Sequence, residues 1–109
     1  MKDSIKKTKD FQKVYRKGKS FANSYIVMYV NKTEEEKTKL GISVSKKVGN
    51  SVVRHRITRL IRECFRLNKE KFISGIDIVI IARTGAKDID YSKMESAIFH
   101  LGKLHKILN

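Results

Sequence analysis

The 109-residue chain has no proline, a single cysteine, and only eleven acidic residues against twenty-five lysines and arginines. No apolar run approaches the roughly 20 residues of a transmembrane helix, and the basic start Met1-Lys2-Asp3-Ser4-Ile5-Lys6-Lys7 lacks the apolar centre of a secretory signal. Each shortage excludes something. With no proline, internal repeat or low-complexity linker, nothing divides the chain, and its length predicts one domain over residues 1–109. Cys64 stands alone, so no intrachain disulfide can form; its place among helical apolar residues predicts a small buried hydrophobe, not a reactive thiol. With neither span nor signal, a cytoplasmic location and no membrane partner are expected. The shortage of acid leaves a formal charge of +14, more than solubility needs, and its self-repulsion is relieved by a polyanion such as nucleic acid.

What the chain does contain is a focus for that charge. Lys46-Lys47-Val48-Gly49 reads as a basic loop feeding a helix that Asn50 or Ser51 caps and that runs to about Asn68 or Lys69. Val53, Ile57, Leu60, Ile61, Cys64 and Leu67 recur at helical spacing as a buried stripe. His55, Arg59, Arg62 and Arg66 occupy the opposite side, with Arg54 and Arg56 on the flanks and only Glu63 to neutralise them. From His55 to Arg66 the basic stripe covers roughly 16 Å at about 1.5 Å per residue, enough for a few successive phosphates. Lysines, free backbone N–H groups and the dipole converge at the helix start, but the Walker spacing is absent, so nucleotide hydrolysis is not indicated.

The flanking segments read as support. Thr8 is a cap for a short helix through Tyr15 and Arg16, ended by Gly18, with Ile5 as a hydrophobic staple and Phe11, Val14 and Tyr15 on one face. Residues 20–30 are β-branched and aromatic and predict one strand, with Tyr25, Val27 and Tyr29 on one side and Ile26, Met28 and Val30 on the other. The polar run 31–37 reads as the loop of a hairpin leading to a strand over 39–45. There Leu40, Ile42 and Val44 face inward, while Gly41, Ser43 and Ser45 form a shallow floor. Set beside the tyrosines, that floor makes an aromatic-walled platform suited to an extended single strand of nucleic acid. Residues 76–82 form a strand apolar on both faces, and Asp90 caps a last helix with the stripe Met94, Ala97, Ile98, Leu101, Leu104 and Leu108. The order α-β-β-α-β-α predicts an α+β fold, an α/β sandwich with helices on a small mixed sheet.

Catalytic machinery is not in evidence. His55, His100 and His105 are scattered without a carboxylate at metal-ligand spacing, His105 reads as packing, and Asp88 and Asp90 are explained by a loop and a cap. No catalytic residue and no metal site are expected in the protein itself.

The run Leu40-Gly41-Ile42-Ser43-Val44-Ser45-Lys46-Lys47-Val48-Gly49-Asn50, followed by Val52, Arg54, Arg56, Ile57, Arg59, Ile61, Arg62 and Glu63, closely resembles the bacterial ribonuclease P protein subunit. Asp10-Phe11-Gln12-Lys13-Val14-Tyr15 looks like the family's first helix and Ile78-Val79-Ile80-Ile81-Ala82-Arg83 like its last strand. Where the family usually has Arg-Asn-Arg, His55 replaces the asparagine, and Thr58 replaces the first residue of a Lys-Arg pair. A neutral His55 still hydrogen-bonds, and a protonated one adds charge.

The resemblance implies an accessory subunit whose partners are a catalytic RNA and precursor tRNA, with no obligatory protein partner. It implies hydrolytic removal of the tRNA 5′ leader, with Mg²⁺ held mainly by RNA. It assigns Lys46, Lys47, Asn50, Arg54, His55, Arg56, Arg59, Arg62 and Arg66 to the catalytic RNA. It assigns Phe11, Val27 and Tyr29, with Phe21 and Tyr25 beside them, to the leader cleft, where Ser43 and Ser45 supply the floor. It also implies a left-handed crossover around the central helix. A structural RNA-binding protein of the ribosome and a DNA-binding architectural protein share the charge and size and remain alternatives.

Overall fold

The computed structural model describes residues 4–109, so Met1, Lys2 and Asp3, the start of the segment read above as no signal, lie outside the described residues. The elements run α1 (Thr8–Lys17), β1 (Lys19–Ala22), β2 (Ile26–Lys32), β3 (Lys39–Ser43), α2 (Ser51–Leu67), β4 (Ile76–Ala82) and α3 (Tyr91–His105). The α+β class with a mixed sheet holds, with one strand more than the pattern predicts. The extra strand arises because Asn23 breaks the 20–30 segment: its side-chain oxygen accepts from the N–H groups of Tyr25 and Ile26, both at 3.0 Å, and its own N–H donates to Ile26 O at 3.0 Å. An asparagine that bonds the backbone two and three residues ahead forms a turn, and β1 folds back antiparallel on β2.

The sheet order is β1-β2-β4-β3. The expected hairpin between the second and third strands is therefore replaced: β4 inserts between them, antiparallel to β2 and parallel to β3. β4 is the strand apolar on both faces, so the central position removes the most apolar surface from water. β3, with Gly41 and Ser43, takes an edge. It ends at Ser43, earlier than expected, because Ser45 already accepts from Val48 N–H (3.1 Å) in the basic turn.

One face of the sheet packs Ile26, Met28, Ile78 and Ile80 against Ile57, Ile61, Cys64 and Phe65 of α2 and Met94, Ile98 and Leu101 of α3. Two stripe predictions are corrected here. Leu67 is 56% exposed, and Phe65 takes the inward place, its ring tilted against Phe72 at 4.8 Å, with Phe72 itself stacked on Phe99 at 5.5 Å. Leu104 is 45% exposed because α3 stops at Lys106 in the left-handed region, after which Ile107 is buried and Leu108 pairs with Phe72 as a β-bridge. Both helix caps behave as read: Asn50 accepts from Val53 N–H at 3.0 Å and Asp90 from Lys93 N–H at 2.8 Å.

α1 crosses the opposite face and buries Val14 against Val79, with Ile5, Phe11, Tyr15 and Tyr29 around them. Thr8 is not its cap. Lys7 occupies that position without a side-chain bond, and the segment before α1 is held instead by Ile5, whose N–H donates to Leu40 O at 2.9 Å.

Candidate nucleic-acid interface

The basic side of α2 follows from helical geometry: with Ile57, Ile61 and Cys64 turned into the core, residues three and four apart on the other side are left in solvent. His55, Arg59, Arg62 and Arg66 are exposed there, and Lys46 and Lys47 are exposed in the preceding turn, which Val48 anchors by its burial. Among the described residues two ion pairs form, Glu35 with Lys39 at 3.5 Å and Glu63 with Arg66. Lys46, Lys47, Arg59 and Arg62 belong to neither, so their charge is available to an anion.

The remaining predicted RNA contacts are differently placed. Asn50 spends its side-chain oxygen on the cap. Arg54 is half-buried, and its Nε is a buried donor with no hydrogen-bond partner among the described residues. Thr58 donates its hydroxyl to Arg54 O at 2.9 Å. Arg56 is half-buried and donates to Ile89 O at 2.8 Å and to Lys87 O.

On the α1 side, strand register sets two rows of side chains across the sheet: Ser20, Tyr29, Val79 and Gly41, then Ala22, Val27, Ile81 and Ser43. α1 sits on the first row. Gly41 permits this, since a Cβ there would lie 2.9 Å from Phe11 Cε1 and 3.0 Å from Ile5 Cβ. Tyr15 meets Tyr29 edge-on at 4.9 Å between ring centres, and Phe11 lies 6.3 Å from Tyr15. Burial, and then the neighbouring Tyr29, raise the Tyr15 pKa, so its hydroxyl stays neutral. The second row is left beside α1 with Val27, Ile81 and Ser43 half-buried. An open groove of about 420 Å³ follows, lined by Thr8, Phe11, Gln12, Tyr15, Ile42 and Ser43.

The structure thus brings Phe11, Val27, Tyr29 and Ser43 to one face and separates three residues assigned with them. Phe21 pairs in register with Met28 on the opposite face, its ring 4.7 Å from His105. Tyr25 falls in the β1–β2 turn beneath the Lys93 ammonium, 5.9 Å away, because the turn at Asn23 resets strand alternation. Ser45 lies beyond the end of β3. Tyr15 and Gln12 line the groove without having been assigned to it; the i, i+4 pairing of Phe11 with Tyr15 was the available signal for the tyrosine.

Edge strand β3 joins the two surfaces. Ile42 lines the groove beside α1 and also a second one of about 370 Å³ formed with Val44, Ser51, Arg54, His55, Thr58 and Arg62. Ser51 and His55 continue into a third with Val52, Arg56 and Arg59. Aromatic wall and basic helix are therefore contiguous.

Cys64 is fully buried; burial above all, with nearby Glu95, pushes its thiol up to about 12. His105 packs against Phe21, with its Nε2 2.9 Å from Met28 O. Among the described residues no three His, Cys, Asp or Glu side chains are grouped to hold a metal ion, and no helix is long and apolar enough to cross a membrane.

The sequence profile described as "Ribonuclease P" matches residues 1–106. The chain is 61% identical over 109 residues to the ribonuclease P protein component of Lachnoclostridium phytofermentans, spanning all of this chain and 94% of that one. It is 48% identical over 108 residues to the corresponding component of Clostridium botulinum, covering 98% and 97% of the two chains. The solved Staphylococcus aureus RNase P protein has a TM-score of 0.90 at 42% identity over 98% of each chain. That of Thermotoga maritima has 0.83 at 30% identity over 90% of this chain and 93% of that one. With near-complete coverage in sequence and in fold, this chain belongs to the ribonuclease P protein family.

Proposed function

We propose that the chain is the protein subunit of ribonuclease P, gripping the catalytic RNA with the outer side of α2 and its preceding turn, and holding the single-stranded 5′ leader of precursor tRNA in the groove beside α1. The observation that carries this is the junction at Ile42, where a groove walled by Phe11 and Tyr15 meets one lined by Arg54, His55 and Arg62. Phosphates need cations without carboxylate partners, and unstacked bases need aromatic faces. Both are present on one continuous surface.

In this reading the chain supplies position and charge, and endonucleolytic hydrolysis at the leader junction belongs to the RNA and its Mg²⁺ ions. Arg59 and Arg62, with Lys46 and Lys47, neutralise phosphates of the catalytic RNA. Phe11, Tyr15 and Tyr29 present the wall along which the leader extends, so that RNA bound on α2 and substrate bound beside α1 share one orientation. Carrying a precursor this way favours substrate with a leader over mature product, which has nothing to place in the groove.

The test adds the purified chain to the bare catalytic RNA at low Mg²⁺ and follows cleavage of a precursor with and without a leader of several nucleotides. Faster cleavage and tighter binding of the longer precursor are expected. Binding without stimulation would instead identify a structural RNA-binding protein.

A further inference from the structure

Arg56 stands in the arginine-rich helix, yet its guanidinium is engaged within the protein. It reaches from α2 to the segment between β4 and α3, where Nη1 donates to Ile89 O at 2.8 Å and Nη2 to Lys87 O. The segment it holds is short and otherwise lightly tied. A single 3₁₀ turn over Thr84–Ala86 is followed by Lys87 N–H to Thr84 O at 3.2 Å and Ile89 N–H to Ala86 O at 3.5 Å, with Ala86 and Ile89 as the buried anchors. Two carbonyls one residue apart on either side of Asp88 are spanned by a forked guanidinium, which an ammonium cannot reproduce.

Lys87 is exposed, and its backbone is in direct contact with Arg56, which lines one groove with Ser51, Val52, His55 and Arg59. The clamp therefore fixes a cation from a distant part of the sequence next to the basic side of α2. We propose that Arg56 is a positioning residue, which holds residues 87–89 against α2 so that Lys87 extends the phosphate-binding surface beyond the helix. This rests on the reading of α2 as the face for catalytic RNA. It gives Arg56 a role different from that of Arg59 and Arg62, although all three lie in the same helix.

The test measures the salt dependence of binding to ribonuclease P RNA for the parent, Arg56→Lys, Arg56→Ala, Lys87→Ala and the double variant Arg56→Ala/Lys87→Ala, together with amide exchange at Lys87 and Ile89. Lys87→Ala should flatten the slope of log K against log salt by about 0.7–0.9, one phosphate's share, with exchange unchanged. Arg56→Lys keeps the charge but should speed exchange at both amides by about tenfold and weaken binding as much as Lys87→Ala does. The double variant should match Arg56→Ala in slope, because releasing the segment has already removed the Lys87 contact.

Parent-like binding and exchange in Arg56→Lys would overturn the proposal. So would a flattened slope in Arg56→Ala with exchange at Lys87 unchanged, which would make Arg56 an ordinary phosphate contact. Should Arg56→Ala fail to fold, Arg56→Lys and Lys87→Ala decide the matter alone. Arg59→Ala separates the two levels: a parent-like slope there overturns the α2 reading itself, whereas a flattened slope beside a parent-like Arg56→Lys overturns the clamp only.

Discussion

Gly41→Ala tests whether α1 and the groove beside it depend on one missing side chain. The new Cβ would stand 2.9 Å from Phe11 Cε1, 3.0 Å from Phe11 Cζ and 3.0 Å from Ile5 Cβ. The Phe11 ring can swing at its far end, but Ile5 is held through its backbone bond to Leu40, so the segment before α1 must lift. Overpacking of this kind costs about 1–3 kcal/mol, and removing a strand glycine returns about 0.5–1 kcal/mol. The net loss, about 0–2.5 kcal/mol with a midpoint near 1 kcal/mol, should lower Tm by about 4 °C per kcal/mol for a chain near this size. Because Phe11 lines the groove, the proposed function predicts that preference for precursor over mature tRNA falls while affinity for the catalytic RNA, which that proposal assigns to α2, is retained. Thermal unfolding and paired binding titrations read both effects, and Phe11→Ala/Gly41→Ala should recover part of the Gly41→Ala loss by double-mutant cycle. An unchanged Tm together with an unchanged precursor preference would refute the packing of α1 on Gly41 and the groove's role at once.

Other outcomes follow from the same geometry. Arg59→Ala/Arg62→Ala should flatten the salt slope of binding to catalytic RNA by about 1.4–1.8, roughly a tenfold smaller loss of affinity between 50 and 200 mM salt; titrations at several salt concentrations check this. Tyr29→Ala should weaken binding of precursor, but not of mature tRNA, by about 1 kcal/mol if a leader base stacks on the wall, and equal weakening of both would make Tyr29 core alone. Burial lowers the His105 pKa from its ordinary value of 6.5, against the pull of Met28 O and with the help of Lys19. The unfolded chain then binds this proton first, so the contribution of His105 is full above about pH 6.5 and is lost as pH falls through the folded pKa. Tm should drop between pH 7.5 and 5, and His105→Gln should lessen the drop. Cys64, fully buried and with its thiol pushed up to about 12, should resist alkylation in the folded protein and react promptly in denaturant, as mass spectrometry would show.

The legible parts of the fold were those written in local spacing. Asn50 and Asp90 cap their helices as their residue types dictate, and Ile57, Ile61 and Cys64 turn inward while Arg59 and Arg62 turn outward because one period governs both. Helix ends were less legible. Leu67 continues the periodic stripe but lies on the last turn, where Phe72 packs against Phe65 and leaves Leu67 in solvent. That Val27, Tyr29 and Ser43 share one sheet face was legible, because it follows from strand parity; Phe11, on a helix, was placed beside them by the resemblance alone. Phe21 and Tyr25 were misplaced because the side-chain bonds of Asn23 convert one apparent strand into two and end the alternation there.

By itself, the sequence determined a basic, proline-free chain whose cations occupy the helix face opposite its apolar stripe, and two strands able to offer tyrosines and small residues on one side. Tertiary structure alone decided which strands are neighbours, because hydrogen-bonded pairing joins residues far apart in sequence and any strand edge can serve any other. Inserting β4 between β2 and β3 placed Ser43 in a row with Ile81 and Val27, left β3 at the edge, and so made Ile42 the meeting point of the aromatic groove and the basic helix. The same nonlocal packing turned Arg56 from one more cation of α2 into a clamp on carbonyls more than thirty residues away.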